Sequence, residues 1–422
     1  MRKIIIILGS TFILCVLLNS NSHSKMITLF TCLQTEVQTA IDSAKDGDAV
    51  IIPAGRCTWS VPVKIPTTKG IILRGNGIDS TTIIDSTGSN NNALEITMTT
   101  GNSIMRLTGI TFDAAGSSKW GPIQIDGKGT NFRIDHIKIN NLSTRGITIS
   151  ATTGNLFGVI DNVEFNAEQN VSAQGVSILG TGAASWMEPP KFGSADYVFV
   201  EDCTFNFAYP NDGALDAYDG ARYVFRYNAI IGTFMGHHGN DSGGYRSAHT
   251  FEIYNNVFSA SSNIARGMFF RGGTGVVYNN TFNFSYNTPI EVTNYRSCCG
   301  AGLLCTPNNA TERCDGDHPD DGNEDLSGYP CEDQIGRTTD GNDIGTTQDL
   351  LPLYEWNNRI DLVDVNIQVH SVCENPSISD HIKENRDFYN DKQSPGYKPF
   401  IYPHTLRTNV RPNSPTNPRI IN

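Results

Sequence analysis

The sequence predicts an all-β solenoid: a right-handed parallel β-helix with an N-terminal helical cap and a C-terminal disulfide-rich irregular module. Three observations carry that prediction. The first is a triplet: an apolar residue, a middle residue three positions on, and an apolar residue two further. It recurs as Leu107/Ile110/Phe112, Ile134/Ile137/Ile139, Ile160/Val163/Phe165, Val200/Cys203/Phe205, Phe225/Asn228/Ile230, Ile253/Asn256/Phe258 and Val277/Asn280/Phe282. First members lie 24 to 40 residues apart, a period that belongs to stacked supersecondary units. Three-then-two spacing fits neither a helix face nor an unbroken strand; it fits strand, bend, strand, once per coil. The second observation is a Gly-led strand after each of the first six triplets, starting at Gly121, Gly146, Gly175, Gly213, Gly236 and Gly267. Each coil therefore has at least two strands, with like strands of successive coils about 4.8 Å apart. The third is the middle column. Asn228, Asn256 and Asn280 would stack inward, each amide donating to one neighbour and accepting from the other, with Cys203 at the head. Turn asparagines in an antiparallel sandwich are the alternative, but independent turns would not hold the flanking apolar pair at fixed offsets. The right hand follows from the general handedness of parallel crossovers.

Taken in order, residues 1–24 read as a cleaved signal peptide. Arg2 and Lys3 precede an apolar run from Ile4 to Leu18, and Ser22-His23-Ser24 offers small residues for cleavage. Residues 25–296 form the predicted β-helix domain. Within it, residues 33–60 make the cap: Leu33, Val37, Ile41 and Ala44 share one face of a short helix that covers the open edge of the first coil. Residues 297–422 form the C-terminal module and tail. The stretch 297–350 holds twelve Asp or Glu against two Arg, and the tail after Arg407 is rich in Pro and Asn and reads as extended.

Export suits the cysteines. Cys32 and Cys57 flank the cap as a natural pair. Cys298, Cys299, Cys305, Cys314, Cys331 and Cys373 cluster late, where the spacing favours disulfides over zinc and leaves the connectivity open. Cys203 remains as an inward free thiol. The net charge of −12 argues against a nucleic-acid partner, which would need a basic stripe. It leaves room for an anionic polysaccharide, because calcium can bridge acidic protein to acidic sugar. Asp315, Asp317, Asp321, Asn323 and Asp325 are the candidate calcium ligands, since hard cations take many oxygen donors; a solvated acidic loop is the alternative.

The run from Gly47 to Gly55, followed by Gly70-Ile71-Ile72-Leu73-Arg74-Gly75-Asn76-Gly77, resembles the opening coils of pectate-lyase-like proteins. The resemblance spans about residues 33–295. It implies a secreted right-handed β-helix of a superfamily that includes polysaccharide lyases, glycoside hydrolases and phage tailspikes. One fold hosting several activities leaves the chemistry to the site. The stretch from Arg222 to Asn256, with His237-His238-Gly239, and the Tyr402-Pro403-His404 segment resemble secreted bacterial β-helix proteins without an assigned reaction.

Unusual polarity concentrates on the Gly-led strands of three successive coils: Gly213 to Asp219, Gly236 to Asp241, and Gly267 to Arg271. Earlier coils carry only Ile123/Gln124/Ile125, Ile147/Thr148/Ile149 and Val176/Ser177/Ile178 there. Strand alternation sends Asp216, Arg271 and one of His237 and His238 outward, and Arg246 and His249 follow in the next loop. Asp216, His238, Arg246 and Arg271 are therefore the candidate catalytic residues. Three readings compete. A lyase needs a base, a histidine or Arg246, and a charge clamp such as Arg271 on a uronate carboxylate. A hydrolase needs two carboxylates, Asp216 with Asp219 or Asp241. Gly236-His237-His238-Gly239 is similar to the Gly-His-Gly of polygalacturonase-like hydrolases, but their adjacent aspartate pair is missing. The third reading is a glycan-binding or structural protein, in which the same residues make turns, ion pairs and buried histidine contacts.

Overall fold

The structure, a computed structural model, describes residues 24–88, 91–117, 120–169, 172–210, 212–239, 246–283, 285–293, 333–339, 348–370, 379 and 382–408. Residues 1–23 of the expected signal peptide, the six late cysteines, the candidate calcium ligands and the tail from residue 409 lie outside these.

The triplets are the bends of stacked coils. Their first members pair in parallel from rung to rung, Leu107 with Ile134, Ile134 with Ile160, Ile160 with Val200, Val200 with Phe225, Phe225 with Ile253 and Ile253 with Val277. Their third members do likewise, from Phe112 beside Ile139 to Phe258 beside Phe282. All of these side chains are buried. The residue before each middle member has a left-handed backbone, with φ between 49° and 72° at Gly109, His136, Asn162, Asp202, Tyr227, Asn255 and Asn279. One left-handed residue between two extended segments turns the chain sharply and aims the next side chain inward. That bend is the physical source of the three-then-two spacing.

The asparagine ladder is continuous. The Cys203 N–H donates to Asn228 Oδ1 at 2.9 Å; Asn228 donates to Asn256 at 3.0 Å and Asn256 to Asn280 at 2.9 Å. Each Nδ2 also donates to a backbone carbonyl, Val200, Phe225 and Ile253 in turn. The buried amides are thus satisfied by one another, and leaving one unpaired would cost about 1–3 kcal/mol. Cys203 is buried and free. The ladder runs one rung beyond the sequence reading, because Asn280 donates to Asn358 at 2.8 Å. Leu353–Trp356 pairs in parallel with Thr274–Tyr278, so the stack continues past the expected boundary at residue 296. Glu355/Asn358/Ile360 is another triplet, hidden in the sequence because its first member is a buried carboxylic acid.

At the other end, helix Gln34–Ser43 buries Val37, Ala40 and Ile41 against strands Ala49–Ile51, Gly55–Trp59 and Val63–Ile65. Leu33 differs from expectation: it precedes the helix and stays 53% exposed. Met26–Thr28 lies in parallel beside Ala49–Ile51, so a strand occupies the edge assigned to the helix alone. Cys32 and Cys57 form a disulfide. Closing a loop of 25 residues restricts the unfolded chain and stabilises the fold by roughly 3 kcal/mol.

A second core lies outside the coils. Val159, Phe199, Val224, Tyr254, Tyr278 and Trp356 form an outer apolar face, on which Tyr397, Phe400 and Leu406 of the C-terminal segment pack. The Gly-led strands keep parallel register but slip by residue: Gly175 falls opposite Ala214, and Gly236 opposite Phe269.

Candidate functional site

The slipped strands meet around a cleft of about 220 Å³ lined by Gln174, Asp216, Gly236, His238, Arg266, Phe269 and Arg271 among others. Strand Asp212–Tyr218 buries Leu215 and Ala217 inward and turns Asp216 to the cleft. In the next coil Met235 and His237 point into the core, which by alternation puts Gly236 and His238 on the cleft side. Glycine is required at 236, because a Cβ there would lie 2.5 Å from the Phe269 carbonyl oxygen. The bare backbone lets the two coils close up and leaves the floor of the cleft open beneath His238.

The two adjacent histidines have opposite surroundings. His237 is buried, with Nδ1 2.9 Å from the Tyr223 hydroxyl and Nε2 2.8 Å from the Gly272 carbonyl oxygen. A carbonyl only accepts, so Nε2 carries the proton and Nδ1 accepts from Tyr223. Burial pushes His237 down to about 3, so it is a neutral core residue. His238 places Nδ1 2.8 Å from Asp216 Oδ1, with its side chain 26% exposed. Burial raises the Asp216 carboxyl, but His238, Arg271 and Arg145 outweigh it and hold it below the ordinary carboxylate range. An ionised Asp216 accepts, so the neutral ring of His238 carries its proton on Nδ1 and has its lone pair on Nε2.

Arg271 donates from Nε to the His237 carbonyl at 3.1 Å and lies near the Phe269 ring. Arg266 stacks over the same ring at 4.0 Å and reaches Glu291 at 3.4 Å. His370 Nδ1 approaches the same Glu291 oxygen at 2.8 Å. Arg145 and Arg271 thus act on Asp216 while Arg266 is paired with Glu291, three arginines against two carboxylates in a chain of net charge −12.

The structure brings Asp216, His238 and Arg271 together but not Arg246. Arg246 makes two 2.7 Å bonds to Asp333 and packs over Trp186, and it does not line the cleft. His249 is buried against Trp186 and near Thr338. Asp219 accepts from the Arg246 backbone, and burial pushes its carboxyl up. Asp241 lies outside the described residues. Among the described residues lining the cleft, Asp216 is the only carboxylate. No three His, Cys, Asp or Glu side chains gather as a metal set among the described residues, and no helix there is long and apolar enough to cross a membrane.

Sequence reasoning missed Gln174, Arg145 and Arg266. Gln174 stands one residue before Gly175, on a coil read as featureless. It reaches the cleft because it falls opposite Gly213 and its side chain extends towards Asp216.

No family model and no curated protein matches the chain. Several solved structures are similar. An alginate lyase from a Paenibacillus species is 16% identical over 62% of this chain and 97% of that one, with a TM-score of 0.38. A PL6 family polysaccharide lyase from Pseudopedobacter saltans is 12% identical over 79% of this chain and 76% of its own, at a TM-score of 0.41. A protein of Geobacillus virus E2 is 16% identical over 60% of this chain and 56% of its own, at 0.38. No residue role follows from similarity at this level.

Proposed function

We propose that the chain is a secreted right-handed parallel β-helix of the pectate-lyase-like kind, which cleaves an acidic, uronate-containing polysaccharide by β-elimination. The Asp216–His238 pair in an arginine-lined cleft carries this reading. Neutral His238 takes, on Nε2, the proton on the carbon next to the uronate carboxylate. The electron pair moves into that carboxylate, which becomes an enediolate dianion. Arg271 lies where it can neutralise the added charge, which is what makes so weak an acid removable. The carbanion pair then forms the new C=C bond as the adjacent C–O bond breaks. The departing oxygen takes a proton from His238 or from water, and the products are one saturated and one unsaturated chain end. Positioned general bases contribute about 10²–10⁴-fold to such steps.

A hydrolase using paired aspartates is less well supported, because Asp219 turns to Arg246 and the cleft has one carboxylate among the described residues. A non-catalytic glycan-binding role would use the same arginines. A panel of uronate polymers decides among them. Ultraviolet absorbance from an unsaturated product supports elimination. New reducing ends without that absorbance mean hydrolysis, and binding with neither means a non-catalytic protein. Calcium at Asp315, Asp317, Asp321, Asn323 and Asp325 is part of the same proposal, as a bridge to an anionic chain.

A further inference from the structure

The Asp216–His238 pair is the end of a longer chain of hydrogen bonds that runs along the stack. Arg145 packs over the Trp120 ring, with its guanidinium carbon 4.5 Å from the centroid. Its Nε–H donates to Gln174 Oε1 at 2.9 Å. Gln174 Nε2 donates to Asp216 Oδ2 at 2.8 Å, and Asp216 Oδ1 faces His238 Nδ1 at 2.8 Å. Arg145 and Gln174 are direct parallel partners on adjacent strands, so the backbone ladder sets their spacing.

An amide can present either its oxygen or its nitrogen, and here the choice is forced. Arginine has donors only, so the Gln174 atom facing Arg145 is the oxygen. The other end of the amide is then the NH₂ group, and that end meets Asp216. The two carboxylate oxygens thereby have separate duties, Oδ2 for Gln174 and Oδ1 for His238. The charged and titratable groups around the pair are few. Arg271 comes from the following coil, Arg145 acts from the preceding side, His237 stands behind, Tyr223 adds its phenol from the core, and the Tyr218 ring meets His238 edge-on.

We propose that Gln174 is a positioning residue: with its amide polarity set by Arg145, it holds the Asp216 carboxylate so that Oδ1 takes the Nδ1 proton of His238 and leaves Nε2 to the cleft. Without the donor from Gln174, the carboxylate can rotate and the neutral imidazole loses its single tautomer. The kinetic consequence rests on His238 being the base proposed above; the tautomer does not.

The test uses the full chain and two substitutions. Gln174→Leu removes the donor. Gln174→Glu keeps the size and the Arg145 contact but presents an acceptor to Asp216. The ring nitrogen resonances of His238, identified by their loss in a His238→Gln variant, report the tautomer of the neutral ring without substrate. The proposal expects the Nδ1–H form to dominate in the parent chain. It expects that preference to fall several-fold in both variants, with melting temperatures close to that of the parent. A residue that merely fills space would leave the Glu variant like the parent, and an unchanged Nδ1–H signature in both variants overturns the proposal. On any polymer the chain degrades, kcat should fall on the order of tenfold, the scale of lost outer-shell orientation, while KM stays nearly constant. A changed tautomer with no activity on any uronate polymer would sustain the positioning role and sink the lyase reading. Activity with an unchanged tautomer would do the reverse.

Discussion

Two faces of one stack carry charge and use it in opposite ways. On the outer face Glu201 takes Arg226 at 2.6 Å and Arg407 at 2.9 Å, while Asp161 takes Arg133 at 2.8 Å and Asp135 takes Arg106 at 2.6 Å. Segment 397–408 lies over this face, giving the Phe400 and Ile401 carbonyls to Arg226 and the Arg407 carbonyl to Arg133. Glu201, Arg226, Asp161 and Asp135 are all fully buried. On the cleft face, Asp216 is held by Gln174 and His238, but His238 keeps one ring edge towards the opening. The charge types are the same. Saturation and a cover make one set structural, while among the described residues the other keeps an imidazole edge accessible.

The largest effect that would sharpen this contrast is on turnover. His238→Ala should lower kcat by about 10²–10⁴-fold with the melting temperature within a few degrees of the parent, because the ring is not part of the core. Polymer assays beside thermal melts check both halves. Equal losses of activity and stability would place His238 with the structural charges instead.

Glu201→Ala should do the opposite. It leaves Arg226 without its carboxylate in a covered site, while Arg407 keeps Asp161 and Asp202; breaking a buried pair costs about 3–5 kcal/mol. Urea unfolding should move to a markedly lower midpoint, and activity per folded molecule should hold. A midpoint within error of the parent would show that the outer face is not sealed.

Acid should weaken both faces together. Burial holds His237 at about 3 and His404 at about 4, against about 6.5 in an unfolded chain. The folded values are depressed, so the unfolded chain binds more protons between them and about 6.5. Stability is therefore present above about pH 6.5 and falls as pH drops towards 4 and then 3. Glu355 pulls the other way, since burial raises it to about 7 and its penalty grows as pH climbs from about 4.5. Burial lowers His249 as well, which adds to the histidine loss, and raises Asp126, Asp161, Asp219 and Glu252, which act with Glu355. Urea midpoints measured from pH 7 to 4 should fall for the parent and less steeply for His404→Phe. An equal slope in that variant removes His404 from the account.

The smallest expected effect concerns the acidic loop. If Asp315, Asp317, Asp321, Asn323 and Asp325 hold calcium, millimolar calcium should raise the melting temperature by a few degrees through simple linkage. Calorimetric titration should show heat of binding, and its absence would leave a solvated acidic loop.

The cleft was partly legible from sequence. Asp216, His238 and Arg271 could be singled out because polarity on three neighbouring strands is rare in an otherwise apolar column. The choice between His237 and His238 was not available, since adjacent residues alternate and only the register decides which faces out. Arg246 was grouped with the cleft because it follows His238 by eight positions, yet Asp333, eighty-seven residues away along the chain, holds it elsewhere.

By itself the sequence determined the coil. An apolar pair flanking a left-handed bend is a local property, and repeating it fixes both the inward column and the asparagine ladder that ends on Cys203. The tertiary structure alone decided how the strands slide against one another. Intervening loops of unequal length, not residue patterns, set that offset. It brought Gln174 opposite Gly213, hid a further rung behind Glu355, and laid a distant segment over one charged face while leaving the other open among the described residues. Pairing energies act across the stack between residues far apart in the chain, so no local pattern records them.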